Sequence, residues 1–378
     1  MLWSTRTAAS DRHKMSTADS EMLRFVRFEG PQAFLKATTK LDDTSMNFCI
    51  GSLYNYLSSV AVSQALPVYL LAIYRGDDLL ISMTHTEADF AWMMCVPTTA
   101  QALVEGTSAN PGFLGPAIEL LVYSTLAQLT PNPLVLDKLI GPDAAVKAFV
   151  AAWCTLLGAQ GHHVRMTPGD WGSRVTYVNR ASLPPILSTP SPHVIVQATA
   201  HDLEAIAQLH IGYEADTLWH RVITREAALA AVEGPVKAGL VWYVCDEGEP
   251  AGYIVLGRVT SRTIAIRNAF VSRARRRKGI AEAMVRGVTR YYLNAPPYDV
   301  RPTEEGPPAV GFKEEVNLNV AVADAERVYR RSGFLLPAMN GEGVPGGIDL
   351  TTGRQGWFKV WLACIEPKPD AAGPEAQS

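Results

Sequence analysis

Residues 269–284 read "AFVSRARRRKGIAEAM", and the fold turns less on the basic run than on what flanks it. Arg273, Arg275, Arg276, Arg277 and Lys278 crowd together with only Ala274 between them, and Gly279 follows at once. Upstream, "TIAIRNAFV" (263–271) has the branched and aromatic composition of a strand. Downstream, Ile280, Met284, Val285, Val288 and Tyr292 recur near a 3.6-residue period, which predicts an amphipathic helix to about Leu293. Strand, glycine turn and helix in that order build an anion site. The first N–H groups of a helix lack intrahelical partners, and the positive end of its dipole faces whatever sits there. Gly279 permits a tight turn, and Ala281 is small enough to let a ligand reach the backbone. No glycine stands two positions before Gly279, and no Gly-Lys-Ser/Thr follows, so neither the dinucleotide fingerprint nor the Walker loop is present.

Composition bounds the alternatives. A chain of 378 residues suits two domains or one large one, and 48% hydrophobic against 19% charged residues describes a globular protein with ample core. The net charge of −3 makes the basic run a local feature, which weighs against a nucleic-acid surface or an import signal. Cys49, Cys95, Cys154, Cys245 and Cys364 are scattered and odd in number, as expected of buried thiols in a reducing compartment rather than of a disulfide frame or zinc site. No apolar run reaches membrane-spanning length, so a cytoplasmic location is expected, with a nuclear one open. Residues 1–20 and 366–378 read as tails, and the proline-rich "ASLPPILSTPSPH" (181–193) as a linker between segments 21–180 and 194–365.

In the second segment, a strand and helix in "VIVQATAHDLEAIAQLHIGYEAD" precede a hairpin, "GLVWYVCDEGEPAGYIVLGR". After the phosphate-type turn come the strand "EVNLNVAV", the helix "ADAERVYRRSGF" and a last strand, "GWFKVWLACI". The first segment repeats this order more weakly. Gly115 and Ala117 match Gly279 and Ala281, and Gly158 matches Gly333.

Arg276-Arg277-Lys278-Gly279-Ile280-Ala281 resembles the Gln/Arg-x-x-Gly-x-Gly/Ala loop of the GNAT acyl-CoA N-acyltransferases. "ADAERVYRRSGF" is similar to the family's later segment, with Ala325, Tyr329, Gly333 and Phe334 in register. The resemblance spans residues 194–365. It implies an α/β fold with a mixed, mostly antiparallel sheet flanked by helices on both faces, duplicated here with a degenerate first half. It also implies that acetyl-CoA is the acyl donor and that its acetyl group passes to a primary amine by direct attack, without a metal. Ala269, Phe270 and Val271 would meet the pantetheine arm through their backbone, and Arg276, Arg277, Lys278, Gly279, Ile280 and Ala281 the pyrophosphate. Tyr329 would act as general acid toward the sulfur. The remaining arginines, with Arg330 and Arg331, would support the cofactor phosphates.

Several residues depart from that pattern. Val322 replaces an asparagine that contacts the cofactor in the family; Asn317 or Asn319 is the compensating candidate, with exposed strand asparagines the plainer reading. The strand 263–271 carries no carboxylate base, which leaves Glu214 as a candidate. His162, His163, His201, His210 and His220 lack metal-ligand spacing and read as loop and helix-surface residues. In the first half Gly112 stands where the loop's Arg/Gln belongs, Pro116 removes an N–H, and Cys154 occupies the place of the tyrosine four residues before the closing glycine. Two other classes stay open: a CoA-binding scaffold that has lost catalysis, and a nucleic-acid-associated protein using the arginine run.

Overall fold

The computed structural model describes residues 22–59, 68–86, 90–100, 114–167, 172–186, 191–217, 219–303 and 310–368. The first half carries β1 (Leu23–Arg27), β2 (Tyr69–Arg75), β3 (Asp78–His85), β4 (Trp92–Cys95), β5 (Lys138–Pro142), β6 (Val164–Thr167) and β7 (Gly172–Val178). Its helices are α1 (Pro31–Thr38), α2 (Asn47–Ser59), α3 (Leu114–Leu129) and α4 (Asp143–Ala159). The second half carries β8 (Ile195–Gln197), β9 (Val241–Asp246), β10 (Glu249–Gly257), β11 (Thr263–Val271), β12 (Val300–Arg301), β13 (Glu315–Val320) and β14 (Trp357–Pro367). Its helices are α5 (Leu203–Asp216), α6 (Arg225–Lys237), α7 (Ile280–Tyr292) and α8 (Ala323–Arg331).

These strands form one mixed sheet in the order β1-β2-β3-β4-β5-β14-β7-β13-β11-β10-β9-β8-β12, with β6 paired to β14. The order is nearly a palindrome about the β14–β7 pair. On each side the two strands next to that pair, β5 with β4 and β13 with β11, run parallel to each other, while most other neighbours are antiparallel. The final strands are exchanged: β7 pairs with β13, and β14 pairs with β5. The sequence reading placed β14 at the end of the second half without detecting that it closes the first. β14 also runs through Glu366 and Pro367, two residues into the stretch read as a tail.

Helices cover both faces, as the amphipathic patterns require. In the second half α7 and α8 bury Ile280, Met284, Val285, Val288, Tyr292 and Tyr329 against one face. On the other face α5 and α6 bury Ile206, Leu209 and Val232 with Tyr253 and Phe270. The first half repeats this with α3 and α4 on one core and α1 and α2 on another. The β9–β10 turn is a two-residue hairpin in which Glu247 and Gly248 both have positive φ, the conformation whose twist matches flanking strands.

Three matches drawn from the sequence need correction. The glycine that closes α4 is Gly161 (φ +86), not Gly158, which lies inside the helix. His162 N–H reaches the carbonyl of Leu157, just as Phe334 N–H reaches that of Tyr329 beyond Gly333 (φ +95). Leu157, fully buried, is therefore the counterpart of Tyr329, and Cys154 is one turn away. Gly115 lies within α3 without a positive φ, so it does not repeat the Gly279 turn. Gly112 is outside the described residues, as is most of the stretch before α3.

Candidate active site

β11 and β13 define the site. They pair in parallel register from Thr263↔Glu315 to Ile266↔Leu318 and then part. Beyond Ile266, β11 continues to Val271 hydrogen-bonded only to β10 through Val255↔Asn268, Ile254↔Ala269, Tyr253↔Phe270 and Gly252↔Val271. A bulge between Val255 and Leu256 accommodates Arg267 and re-aims the strand at the point of separation. The edge of this stretch that faces away from β10 is thus the open side of a split, where the peptide groups of Ala269 and the N–H of Val271 face an extended ligand and the Val271 carbonyl is taken by Arg276.

The loop beyond β11 turns through two left-handed residues, Arg277 (φ +69) and Gly279 (φ +80), before α7 begins at Ile280. A Cβ on Gly279 would meet nothing within 4 Å, so the turn faces open space at a helix N-terminus. Ile280 is buried under α7, leaving its N–H, with those of Gly279 and Ala281, to present the donors. His193, from the 181–193 stretch, braces the loop by donating from Nε2 to the Lys278 carbonyl at 2.9 Å.

The basic side chains are more occupied than their sequence suggests. Arg276 donates to the Val271 carbonyl at 3.0 Å and pairs with Asp216 of α5, which also holds Arg273 at 2.7 Å. Arg275 and Lys278 both pair with Asp246 at the β9–β10 turn, at 3.0 and 2.6 Å. Arg277 alone of the run has no ion pair among the described residues. Arg330 is buried on Glu326 and the Pro337 carbonyl, which removes it from the phosphate side, while Arg331 reaches Glu282 in the first turn of α7 at 2.8 Å.

Tyr329 enters from α8, 9% exposed, its ring edge-on to Phe334 at 5.6 Å. Burial, reinforced by the Tyr213 hydroxyl, pushes its phenol up to about 12. Tyr213 lies on α5, packed on the opposite face of the sheet from α8. Around Tyr213 stand Phe270, Tyr253 and His210, with ring centroids at 6.3, 6.4 and 5.8 Å. His210 is buried rather than on a helix surface; its Nδ1 lies 2.8 Å from the Tyr253 hydroxyl and its Nε2 3.9 Å from Glu214. Burial lowers the His210 pKa, partly offset by Glu214. Glu214 therefore ends a short polar row, Glu214–His210–Tyr253, embedded in aromatic rings.

Neither Asn317 nor Asn319 is an exposed strand residue. Asn317 is 1% exposed with Nδ2 unpartnered, and Asn319 has an unpartnered buried Oδ1 just where β13 leaves β11. Alternation puts both on the α5 face. The only sequence signal was their spacing of two on a strand otherwise apolar. Val322 is the N-cap of α8, half exposed and without a side-chain cap. Of the cysteines expected to be buried, Cys49 and Cys95 are, whereas Cys245 is exposed and Cys154 and Cys364 lie between. Among the described residues no group of three His, Cys, Asp or Glu is placed to hold a metal, and no helix is long and apolar enough to cross a membrane.

A small cleft lined by Asp43, Thr44, Thr98, Tyr177, Glu315 and Arg354 sits on the seam between the halves, away from Gly279 and Tyr329. None of its lining residues belongs to the open split beyond Ile266↔Leu318.

Comparison with known proteins agrees with this geometry. Residues 208–298 match the family model described as the acetyltransferase (GNAT) family; the stretch contains β11 and the Arg276–Ala281 loop, while Tyr329 lies beyond it. A solved tandem GNAT protein from the clavulanic acid biosynthesis pathway is 12% identical, covering 92% of this chain and 99% of its own, with a TM-score of 0.47. A GCN5-related N-acetyltransferase from Sphaerobacter thermophilus is 13% identical over 91% of this chain and 96% of its own, also at 0.47. A GNAT-family acetyltransferase from Colwellia psychrerythraea is 10% identical over 90% and 99%, at 0.42. No curated protein matches the sequence. At such TM-scores the structural likenesses carry no weight of their own, and the assignment rests on the family match: this chain carries a domain of the GNAT acetyltransferase family, matched over residues 208–298.

Proposed function

We propose that the protein is an acetyl-CoA-dependent N-acetyltransferase whose second half, residues 194–365, binds the thioester and acetylates a primary amine. The observation that carries this reading is the parting of β11 from β13 after Ile266↔Leu318, followed directly by the left-handed Gly279 at the start of α7. A pantetheine arm would run along Ala269, Phe270 and Val271, taking the outward peptide groups of Ala269 and the N–H of Val271. The pyrophosphate would take the N–H groups from Arg277 through Ala281, with Arg277 the unengaged cation beside it. The first half, which has Leu157 where the second has Tyr329, serves as a supporting module.

The amine nitrogen attacks the thioester carbonyl, the C–N bond forms as the C–S bond breaks, and the ammonium proton must leave. On the α5 face, Glu214 with His210 is the acceptor for that proton, directly or through water. Tyr329 faces the departing sulfur. A phenol near 12 holds its proton more firmly than a thiol of about 8.5 does, so Tyr329 acts chiefly by donating a hydrogen bond to the developing thiolate rather than by full transfer. No acyl-enzyme is needed: Cys49 and Cys95 are buried in the first half, and Cys245 lies on the outer strand β9.

Calorimetry with acetyl-CoA tests the reading. Micromolar binding by the wild type, lost in Gly279→Asp, is expected; absence of wild-type binding would sink it.

A further inference from the structure

Arg258 is a buried cation without a counter-ion. It follows Gly257 at the end of β10 and is turned by φ +47. The Asn47 side chain of α2 donates to its carbonyl at 2.8 Å, and α2 packs so closely that a Cβ on Gly51 would lie 2.6 Å from Arg258 Cβ. The residue is 6% exposed, and its guanidinium lies 4.3 Å over the Phe48 ring. Its Nε has no acceptor, and no carboxylate pairs with it among the described residues.

A like charge close by adds to the cost, against a weaker pull in the other direction from the buried Cys95 thiol. Arg267, in the bulge of β11, lies along Gly257, with its Cγ 3.1 Å from where a Cβ there would be. Burial first, and Arg267 second, push the Arg258 guanidinium down to about 9. Holding a cation out of water beside a like charge is unfavourable unless an anion joins them. A second orphan donor stands at the same level of the sheet. Gly257 pairs with Ala265, and Ala265 with Asn317, whose buried Nδ2 also lacks an acceptor. Two strand spacings, about 10 Å, separate Gly257 from Asn317.

This level lies one residue before the split at Ile266↔Leu318, on the α5 face that also carries Tyr213, which senses Arg267. We propose that the acceptor is an amine bearing an oxyanion, which docks on Arg258 and Asn317 in the seam beneath α2 and directs the amine toward the split. The proposal rests on the acetyltransferase reading above and adds the substrate class.

Matched pairs decide it, read as thiol release from acetyl-CoA: β-alanine against β-alaninamide, 4-aminobutyrate and L-glutamate against their amides, and O-phosphoethanolamine against ethanolamine. The acidic member of at least one pair is expected to exceed its neutral partner by about 10- to 100-fold in kcat/KM. The winning pair tells carboxylate from phosphate. Arg258→Gln should bring that ratio close to one through KM, leaving kcat on the neutral partner within about threefold, and Arg258→Lys should restore part of it. Because Arg258 is buried, Asn317→Ala supplies an independent variant, expected to lower the ratio by about 3- to 10-fold. Neutral partners used as well as acidic ones, no acidic amine acetylated although acetyl-CoA binds, or a ratio untouched in both Arg258→Gln and Asn317→Ala would each overturn the proposal. Failure of wild type to bind acetyl-CoA would instead overturn the acetyltransferase reading beneath it.

Discussion

Glu315 offers a quantitative test of the seam between the halves. It opens β13, 9% exposed, and its Oε2 accepts the Thr44 N–H at 2.9 Å and the Thr44 hydroxyl at 2.6 Å. Burial, with Asp43 adding repulsion, raises its pKa from an ordinary 4.5 to about 7, against the opposing pull of Thr44 and Arg354. The folded state therefore holds this proton more tightly than the unfolded chain. Below pH 4.5 the group is protonated in both states and contributes no pH dependence. Between 4.5 and 7 the unfolded chain ionises first, and stability falls as pH rises. Above 7 the loss levels off at about 3 kcal/mol. Glu315→Gln keeps an oxygen for Thr44 and removes the charge. Its stability relative to wild type should be near zero at pH 5 and favourable by about 3 kcal/mol at pH 8, or roughly 4 °C in Tm for a chain of this length. Calorimetric melts of both proteins at the two pH values, at equal ionic strength, read the difference. An offset equal at both pH values, or a variant less stable at pH 8, would refute the reasoning.

Other consequences are as direct. Gly279→Ala, at φ +80, should cost about 1–2 kcal/mol of stability and weaken acetyl-CoA binding, whereas the carboxylate of Gly279→Asp should abolish binding; calorimetry reads both. Tyr329→Phe should lower kcat for thiol release by about 10- to 100-fold while acetyl-CoA affinity stays within threefold; equal rates would remove the hydroxyl from the reaction. Glu214→Gln should lower kcat/KM by about 10- to 100-fold, and an unchanged value would exclude it as proton acceptor. Gly158→Ala, in open space on a helix, should stabilise by about 0.5–1 kcal/mol, and Gly161→Ala, at φ +86, should destabilise by about 1 kcal/mol; the reverse order in chemical denaturation would restore Gly158 as the closing glycine.

The legible parts of the sequence were the local ones. β11, the α7 face and the hairpin turn at Glu247–Gly248 follow from composition, period and turn chemistry within a few residues, and all lie where the pattern put them. Gly158 misled because the helix continues a turn past it, and only the 6→1 bond from His162 to Leu157 identifies Gly161 as the terminator. The basic run misled in another way. Its partners Asp216, Asp246 and Glu247 sit on a different helix and a different hairpin, so their neutralising effect is a tertiary fact. Asn317, His210 and Arg258 were hidden for the same reason: burial and orphaned donors belong to packing, which no spacing encodes.

The exchange of β7 and β14 also constrains how the protein comes into being. β5 meets its outer neighbour only after the second half has been made through β14, so the first half waits with an open edge until then. Such long-range pairing is slow to form and exposed to misassociation meanwhile. β13, a wall of the split, is in turn flanked by a strand from the first half, so residues 194–365 expressed alone would present that wall as a bare edge. The outer support of the split is thus made before the split itself, and the first half is closed by a strand of the second.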